Sequence, residues 1–297
     1  MAEEPLPTLD EAYLAGLARA ALAEDAADRD ATTQALVSPD LTGSATIVAR
    51  RAGVIAGLPV AAAVFHAVDP TLKFEPQTQD GARVSAGQTL AVVSGRVAST
   101  LSAERVALNF LQRLSGVATA TARLIDAVAG LPARILDTRK TTPGLRALEK
   151  YAVRAGGGWN HRRDLAEGVL VKDNHWRVAR AGGADARSVI GRLREKAPRA
   201  RLPDGRLGIE VEVTSEEEAR EALDAGADML LLDNMELQEM RRVVEMSRGR
   251  ATTEASGGIT LETVRAVAET GVDFISVGAI THSAPALDIS LELESFG

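Results

Sequence analysis

Cationic side chains collect in one stretch of this sequence, close to the ends of apolar runs. Arg139 and Lys140 close one run, Lys172 closes another, and His161 and Arg162 follow three consecutive glycines. A solvated surface would mix basic residues with acidic ones, whereas these cations gather where strand-like runs give way to loops. The pattern predicts a site that binds an anionic ligand.

The composition narrows the classes of protein to which such a site could belong. The chain has 297 residues and a net charge of −7, which gives a nucleic-acid partner no general electrostatic support. It has no cysteine, so disulfides, thiol nucleophiles and cysteine-bound metals are excluded. The sequence shows neither a signal-peptide core nor an apolar run of membrane-spanning length. We therefore expect a cytoplasmic enzyme without nucleic-acid or membrane partners.

Strand and helix patterns alternate through the second half of the chain, which predicts a parallel sheet with covering helices. The predicted strands are Ala133–Thr138, Gly168–Lys172, Gly208–Val213, Met229–Asp233, Ala251–Ala255 and Phe274–Val277. Glu210 and Glu212 share one face of their strand. Helices would cover both faces of an open sheet, where two such glutamates would be costly. The pair therefore favours an α/β barrel, TIM-like and complete or incomplete, with both glutamates turned into its mouth.

The first part of the chain is predicted to be a smaller, mixed α/β unit. Residues 8–11 have the pattern of a capping box that begins a helix at Thr8, and Ser102 is the expected cap of a later, long helix. Between them, residues 44–93 are rich in β-forming residues and turn signals. This β-rich segment resembles the hammerhead half of a lipoyl or biotinyl carrier, although its hairpin tip has no lysine.

Several motifs, in order along the chain, resemble those of one enzyme family. They are Glu104-Arg-Val-Ala-Leu-Asn-Phe-Leu-Gln, Asp137-Thr-Arg-Lys-Thr-Thr-Pro-Gly-Leu-Arg, Asn160-His-Arg, Lys172-Asp-Asn-His, Glu210-Val-Glu-Val, Leu232-Asp-Asn and Ser256-Gly-Gly. This ordered set is similar to the quinolinate phosphoribosyltransferases, the carboxylating nicotinate-nucleotide pyrophosphorylases, over nearly the whole chain.

The resemblance implies a division of the chain. An N-terminal α/β domain would occupy residues 1–115, an α/β barrel 116–280, and a C-terminal segment, 281–297, would return to the first domain. Residues 199–207 look like an insertion relative to the usual spacing in the family. The implied reaction transfers phosphoribosyl from phosphoribosyl pyrophosphate to quinolinate, with loss of CO₂, and gives nicotinate mononucleotide and pyrophosphate.

Quinolinate is a pyridine dicarboxylate, so its site needs two carboxylate partners. Arginine suits this task because its planar fork pairs with a carboxylate through two hydrogen bonds. By resemblance, the residues that contact quinolinate are Arg105, Arg139, His161, Arg162 and Lys172. The competing interpretation is structural, namely that these cations form buried ion pairs with Glu149, Asp137 or Asp173. Five cations at matching positions make that interpretation less favourable than it is for any one of them.

The resemblance also implies phosphoribosyl pyrophosphate as the second substrate and Mg²⁺ as the cofactor. Lys140 would hold phosphate, while Glu212 and Asp233 would lie near the ribose hydroxyls and bind the metal indirectly, through water. Glu210 is a rival to Glu212. The candidate catalytic residues are thus Lys140, Lys172, Glu212 and Asp233. The candidate phosphate contacts are Ser256, Gly257, Gly258, Ser276, Gly278 and Ala279. The competing interpretation of these six is ordinary tight turns; barrels often bind phosphate there.

Arg105 is predicted in the first turn of the long helix, where a cation opposes the helix dipole and needs a compensating partner. Glu104 is one candidate partner. The resemblance implies another, a substrate carboxylate in a second subunit of a homodimer or larger homo-oligomer. Two other functions remain open. A related phosphoribosyltransferase that acts on nicotinate or another aromatic acid would need fewer cations, and a carrier module would need the missing attachment lysine.

Overall fold

Each of two units of the chain is built around its own sheet. The computed structural model describes residues 6–197 and 200–297. The first unit contains the described residues up to Ala122 together with Tyr151–Gly157 and Ala284–Gly297, and the second contains the described residues of Arg123–Lys150 and Gly158–Ser283. Within these described ranges, no helix is long and apolar enough to cross a membrane.

An antiparallel sheet forms the centre of the first unit. The strands are β1 (Thr42–Ala49), β2 (Gly53–Val54), β3 (Lys73–Pro76), β4 (Arg83–Val84), β5 (Thr89–Arg96) and β12 (Ile289–Phe296). The helices are α1 (Glu11–Glu24), α2 (Ala31–Leu36), α3 (Leu58–Val68) and α4 (Val97–Ala127), whose last residues belong to the second unit. The four main strands have the order β12-β1-β5-β3, and β2 pairs separately with β4. Strands β1 and β5 and helices α3 and α4 share one hydrophobic core, to which they contribute the fully buried side chains of Ile47, Leu90, Phe65 and Leu111.

Two predicted helix caps are wrong. Helix α1 begins after Asp10, whose carboxylate accepts the Tyr13 N–H at 2.7 Å, so Asp10 and not Thr8 is the N-cap. Helix α4 begins at Val97, directly after β5, and Ser102 lies inside it. The Ser102 hydroxyl donates to Asp30 at 3.1 Å and caps nothing. Both errors arise because several residues near each helix start can accept an N–H, and only tertiary packing chooses among them.

The C-terminal strand is an edge of the first sheet. Strand β12 pairs with β1 in antiparallel register, with Thr46 opposite Glu292. The chain before it packs against helix α4, where the Leu287 N–H donates to the Gln112 carbonyl at 2.9 Å. The approach is close at Gly116, because a Cβ atom there would lie 2.1 Å from the Pro285 carbonyl oxygen. A glycine is therefore required at this position of α4.

The second unit is a parallel α/β structure, as predicted. Its strands are β6 (Arg134–Leu136), β7 (Val169–Val171), β8 (Ile209–Val213), β9 (Met229–Asp233), β10 (Thr252–Ser256) and β11 (Phe274–Ser276). Its helices are α5 (Arg146–Ala155), which continues into the first unit, α6 (Asp173–Ala181), α7 (Ala186–Lys196), α8 (Glu216–Ala225), α9 (Leu237–Ser247), α10 (Val264–Ala268) and α11 (Ala279–His282). All six predicted strands are present, and their ends agree with the prediction within two residues.

The strand order of this sheet is that of a barrel opened at one seam. The order is β6-β11-β10-β9-β8-β7, and every neighbouring pair is parallel. The first strand therefore pairs with the last, as it does when a sheet curls round on itself. Within the described residues no ladder joins β6 to β7, although Leu136 forms an isolated parallel bridge with Trp159. Over the part of the chain that the structure describes, the fold is an α/β barrel with this strand order and without strand pairing between β6 and β7.

The predicted insertion at 199–207 folds back on itself over its described residues, and Arg199 lies outside them. Arg201 and Leu207 form an antiparallel bridge, and the Leu202 N–H donates to the Arg206 carbonyl at 2.8 Å. Leu202 is buried in a small apolar cluster with Leu136, Met229, Phe274 and Trp159. The segment is therefore attached to the second unit by apolar contact despite its polar sequence.

The close approach at Gly116 gives a test of packing. We expect Gly116→Ala to lower the free energy of unfolding by roughly 1–3 kcal/mol, because the added methyl group overpacks α4 against backbone that cannot move aside cheaply. Gly16→Ala is the matched control, since a Cβ atom at Gly16 in α1 meets nothing within 4 Å. The control should gain about 0.5–1 kcal/mol from reduced backbone entropy. Urea unfolding curves would measure both, and equal stability of the two variants would contradict the packing described.

Candidate active site

The predicted site residues of the second unit follow the carboxyl ends of its parallel strands. Lys172 comes directly after β7, Asp233 ends β9, Ser256 ends β10 and Ser276 ends β11. Glu212 is the fourth of five residues in β8. Because the carboxyl ends of parallel strands lie at the same edge of a sheet, these residues share one edge.

The loop after β6 carries two of the predicted cations. The Arg139 Nε atom is buried and has no hydrogen-bond partner. Lys140 is exposed, and its backbone carbonyl accepts the Thr281 hydroxyl at 2.7 Å. A Cβ atom on Gly278 would lie 3.1 Å from Lys140 Cδ, so the Lys140 side chain runs along the backbone of Gly278. The structure thus brings together two residues that were predicted to hold phosphate.

A buried ion pair lies beneath this loop. Asp137 is fully buried, and its carboxylate accepts from Lys150 Nζ at 2.5 Å, Asn160 Nδ2 at 2.6 Å and the His161 N–H at 2.9 Å. Lys150 Nζ also donates to the His161 carbonyl at 2.8 Å. Burial raises the pKa of Asp137 and lowers the pKa of Lys150, while the attraction between the two opposes both shifts. The pair fixes the end of β6, helix α5 and residues 160–161 relative to one another.

The side chain of His161 faces two buried carboxylates. Its Nε2 atom lies 3.1 Å from Glu210 Oε2 and 3.5 Å from Glu254 Oε2. Burial by itself would lower the pKa of His161, but the charges of Glu254 and Glu210 outweigh it and raise the pKa to about 9. Burial also raises the pKa of Glu254 to about 8. Glu210 was considered only as a rival of Glu212, and the structure places it with His161.

Arg162 lies in a strongly cationic environment. Its guanidinium donates to the Gly168 carbonyl at 2.9 Å, and its N–H donates to His161 Nδ1 at 2.8 Å. Burial and then the positive charge of Arg139 lower the pKa of Arg162. Two guanidinium groups that repel each other, one with a buried and unpartnered N–H, are suited to an anion that would bind both.

Lys172 has an acidic partner that the sequence analysis assigned to another task. Its ammonium group forms an ion pair with Glu212 Oε2. Nearly half of the Lys172 side chain is exposed, whereas the Glu212 side chain is mostly buried. The Lys172 N–H donates to His175 Nδ1 at 2.9 Å, which ties the lysine to the first turn of α6. Lys172 is therefore positioned at the sheet edge by both its backbone and its side chain.

The loops after β9 and β10 approach each other closely. The Asn234 N–H donates to the Ser256 carbonyl at 2.9 Å, and the Asn234 side chain donates to Asp233 at 3.0 Å. Gly257 and Gly258 both have positive φ angles, and a Cβ atom on Gly257 would lie 2.3 Å from Asn234 Oδ1. The glycines are thus required by the turn itself, which is the interpretation that competes with phosphate contact.

The remaining late-strand candidates occupy the turn after β11. Ser276 is buried at the end of the strand, Gly278 is the N-cap of the four-residue helix α11, and Ala279 is its first residue. The Thr281 hydroxyl donates to the Gly278 carbonyl at 3.0 Å as well as to the carbonyl of Lys140. This bridge couples the turn to the loop after β6.

Arg105 belongs to the first unit and lies on helix α4. It is the ninth residue of that helix, which begins at Val97, so its predicted place in the first turn is wrong. The argument from the helix dipole fails with it, because the dipole acts within the terminal turn. Its guanidinium lies 3.8 Å from Glu104, and more than half of its side chain is exposed. Such an exposed ion pair contributes little to stability.

Several functional candidates were missed by the sequence analysis. Lys150, Glu254 and Arg146 are the main ones. Arg146 donates to the Thr141 hydroxyl at 2.9 Å and to the carbonyls of Arg139 and Arg163 at 3.3 Å, so it joins two cationic loops. For Arg146 and Lys150 the available signal was their spacing, because residues four apart lie on one helix face. For Glu254 the signal was that it is the only charged residue of β10.

The acids proposed as structural partners of the cations have other contacts. Asp137 binds Lys150, and buried Glu149 accepts the Thr142 N–H at 3.0 Å and its hydroxyl at 2.8 Å. Neither contact uses one of the five predicted cations. Asp173 is the first residue of α6.

For Mg²⁺, Glu212 and Asp233 offer the oxygen donors that this ion prefers, on adjacent strands of one sheet. Their present partners are Lys172 and Asn234. A cation bound through water and substrate oxygens is compatible with this donor set, because it leaves those partners in place.

A substitution in the buried ion pair tests whether the Asp137 carboxylate depends on Lys150. We expect Lys150→Met to lower the free energy of unfolding by roughly 3–5 kcal/mol, because it leaves the Asp137 carboxylate buried without a counter-charge. Lys140→Met is the matched control at an exposed lysine and should change stability by less than about 0.5 kcal/mol. Urea unfolding at neutral pH would measure both. A loss in Lys150→Met as small as that of the control would show that Asp137 does not depend on Lys150.

Family comparisons match both parts of the chain. The description "Quinolinate phosphoribosyl transferase, N-terminal domain" matches residues 30–115, and "Quinolinate phosphoribosyl transferase, C-terminal domain" matches residues 117–292. Together the two matches contain every residue that was predicted for the site.

Individual relatives cover nearly all of the chain. A protein of Nicotiana tabacum, "Quinolinate phosphoribosyltransferase (decarboxylating) 2b, mitochondrial", is 41% identical over 305 residues, covering 97% of this chain and 84% of that protein. A "Probable nicotinate-nucleotide pyrophosphorylase (carboxylating)" of Bacillus subtilis is 41% identical over 271 residues, covering 91% and 90%. The solved structure of the nicotinate-nucleotide pyrophosphorylase from Francisella tularensis has a TM-score of 0.88 at 35% identity and covers 98% of this chain and 99% of that one.

Proposed function

The chain belongs to the quinolinate phosphoribosyltransferase family, and on that premise we propose how its residues divide the work of the family's reaction. The protein transfers phosphoribosyl from phosphoribosyl pyrophosphate to quinolinate with decarboxylation, in the biosynthesis of NAD. The products are nicotinate mononucleotide, pyrophosphate and CO₂.

The dicarboxylate binds, in our proposal, at the cationic loops of the second unit. The observation that supports this best is the buried, unpartnered Arg139 Nε beside the half-buried guanidinium of Arg162. A carboxylate between them would accept from both and cancel their repulsion. Lys172 supplies a third cation at the same sheet edge, and Arg105 a fourth from another subunit. His161 joins this group as the neighbour of Arg162.

Phosphoribosyl pyrophosphate takes the part of the edge formed by the late strands. Lys140 holds a phosphate as a point charge beside Gly278, and the turns at Ser256–Gly258 and Ser276–Ala279 offer backbone N–H groups. Glu212 and Asp233 face the ribose. Mg²⁺, when bound, neutralises the charge that develops on the leaving pyrophosphate.

The charges of these residues suggest an order of steps. As pyrophosphate leaves, positive charge develops on the ribose carbon, and the carboxylates of Glu212 and Asp233 stabilise it. The pyridine nitrogen then bonds to that carbon and becomes cationic. Loss of CO₂ from the neighbouring ring carbon leaves an electron pair there, which the cationic nitrogen stabilises. Ribosyl transfer therefore precedes decarboxylation, and a proton finally replaces CO₂ on the ring.

Nicotinate is the main competing substrate, and its single carboxylate distinguishes it. It would leave part of the cationic set without an anion, which is costly where the Arg139 Nε is buried. The dicarboxylate fits the set better. The homo-oligomer remains a proposal that rests on Arg105, and a cytoplasmic location remains one as well, since the tobacco relative is named mitochondrial.

An assay of CO₂ release tests the activity. We expect the full chain to release CO₂ from carboxyl-labelled quinolinate only when phosphoribosyl pyrophosphate and Mg²⁺ are both present, because decarboxylation needs the cationic ring nitrogen that ribosyl transfer creates. Omission of either component is the control. Nicotinate should be converted to its mononucleotide far more slowly. Equal or faster turnover of nicotinate would contradict the assignment of a dicarboxylate site.

Subunit mixing tests whether Arg105 completes the site of a partner. Arg105→Ala and Lys172→Ala proteins should each be nearly inactive alone, because each lacks a cation for the dicarboxylate. In a mixed dimer one site carries both lesions and the other carries neither. Random mixing should therefore restore about a quarter of wild-type activity. The control is to mix each variant with Lys140→Met, because Lys140 and Lys172 belong to the same unit of the chain. Arg105→Ala mixed with Lys140→Met should recover activity. Lys172→Ala mixed with Lys140→Met should not.

Absence of recovery in the Arg105→Ala and Lys172→Ala mixture, with subunit exchange demonstrated by mass spectrometry of tagged chains, would remove Arg105 from a shared site. Recovery in the control mixture of Lys172→Ala and Lys140→Met would likewise show that recovery does not depend on an Arg105 supplied by the partner subunit.

A further inference from the structure

Three buried side chains meet inside the second unit without satisfying one another's hydrogen bonds. His161, from the segment before β7, lies between Glu210 of β8 and Glu254 of β10. No aligned hydrogen bond is made by His161 Nε2, by Glu210 Oε1 or by either carboxylate oxygen of Glu254. A buried polar atom without a partner is costly, so a proton or a cation must be shared within this cluster.

Three arrangements could neutralise the cluster. The imidazole could be a cation between two carboxylates, a divalent metal ion could bind all three groups, or one carboxylate could keep its proton. The ligand atoms lie within 4.8 Å of one another, which is close enough for each arrangement. Charge alone does not decide among them, since the imidazolium state and the protonated-carboxylate state carry the same total charge.

The backbone N–H of Arg162 distinguishes these arrangements. It donates to His161 Nδ1 at 2.8 Å, and an atom that accepts a hydrogen bond carries no proton. His161 is therefore neutral and carries its proton on Nε2, which excludes the imidazolium. The pKa of about 9 for His161 requires the negative charge of Glu254, which is the largest of the effects that raise it, so that pKa falls when the Glu254 carboxyl holds a proton. A protonated Nε2 also has no lone pair for a metal ion, which excludes the metal site.

The remaining proton belongs on Glu254. The Glu254 carboxyl is fully buried, and besides His161 it faces Glu210, Asp137 of the β6 end and Ser276 of β11. The nearby cation Lys150 is already bound to Asp137. Glu210, in contrast, has the attraction of the Arg162 guanidinium. The Glu254 carboxyl, which is buried among other acids and has no cation of its own, keeps its proton.

We propose that Glu254 is a neutral carboxylic acid, and that Glu254 and Glu210 hold His161 as its Nε2–H tautomer so that Nδ1 fixes the backbone of Arg162. His161 is then a positioning residue. Its Nδ1 accepts from the backbone of Arg162 and its Nε2 faces two buried carboxyl groups, so it serves the anion through Arg162. This deepens the proposed function and depends on it only for the identity of that anion.

The arrangement has a consequence at alkaline pH. Burial raises the pKa of Glu254 to about 8 even against the charge of a protonated His161, so beside a neutral imidazole the carboxyl loses its proton only at alkaline pH. The new negative charge then lies beside Glu210 and close to the site of a dianionic ligand. If only the protonated form is competent, its population and hence the affinity for quinolinate should fall between pH 7 and pH 9, by up to about tenfold.

A tautomer measurement tests the proposal without any ligand. The full chain is labelled with ¹⁵N-histidine, and its four histidines are compared with those of a His161→Gln variant to assign the His161 signals. At pH 7 we expect one protonated nitrogen, Nε2, and one unprotonated nitrogen, Nδ1. A doubly protonated ring or an Nδ1–H tautomer would overturn the proposal, whether or not the protein is active.

Quinolinate binding to the full chain at pH 7 and pH 9 tests the role of Glu254. Wild-type protein should lose affinity at pH 9, by up to about tenfold. Glu254→Gln should remove this pH dependence, because an amide cannot lose the proton, whereas the exposed control Glu245→Gln should keep it. Glu210→Gln should lower affinity already at pH 7, since Nε2–H loses the carboxylate that lies 3.1 Å from it.

A loss of affinity at pH 9 that is as large in Glu254→Gln as in wild-type protein would contradict the proposal. A stoichiometric metal ion in wild-type protein that is absent from Glu254→Gln would contradict it as well. If wild-type protein binds no quinolinate at either pH, the proposed function fails, and the tautomer measurement alone then decides the role of His161. If Glu254→Gln does not fold, the tautomer measurement on wild-type protein again decides the role of His161.

Discussion

The site depends on one buried ion pair, between Asp137 and Lys150. Taking two charges out of water is repaid only when the attraction is accompanied by further hydrogen bonds, and here Asn160 and the backbone of His161 supply them. The pair joins the end of β6 to helix α5 and to the loop before β7. Every cation of these two loops lies within three residues of the ion pair itself or of a residue that contacts it. The positions of the cations therefore depend on this pair.

The second unit separates its charges into two layers. Acids and their partners fill the interior, where Asp137 is neutralised by Lys150 and where His161 lies against Glu210 and Glu254. The cations near the strand ends are less completely paired, as the free Nε of Arg139 shows. Fixed, incompletely paired cations stabilise an anion without reorganising, which is the basis of electrostatic preorganisation. The same separation explains why an acidic chain can hold an anionic ligand.

How much of this the sequence could predict depends on the range of the interaction. Lys172 was located because it follows an apolar run, and the six parallel strands were located by their alternation with helices; both signals are local. The start of α4 was misplaced at Ser102 because a capping residue is only one of several contributions to where a helix begins. Glu254 and Lys150 could not be assigned, because their partners lie on other strands and loops, and only the folded sheet brings them together.

The pairing of β12 with β1 has a consequence for how the chain is made. Ser44 and Ser295 face each other across 251 positions of sequence. Synthesis proceeds from the N-terminal side, so β1 emerges with one edge unpaired and stays so until β12 has been synthesised. Exposed strand edges recruit other strands. During synthesis the first unit therefore passes through a period in which it can pair with a neighbouring chain, and the emergence of β12 ends that period.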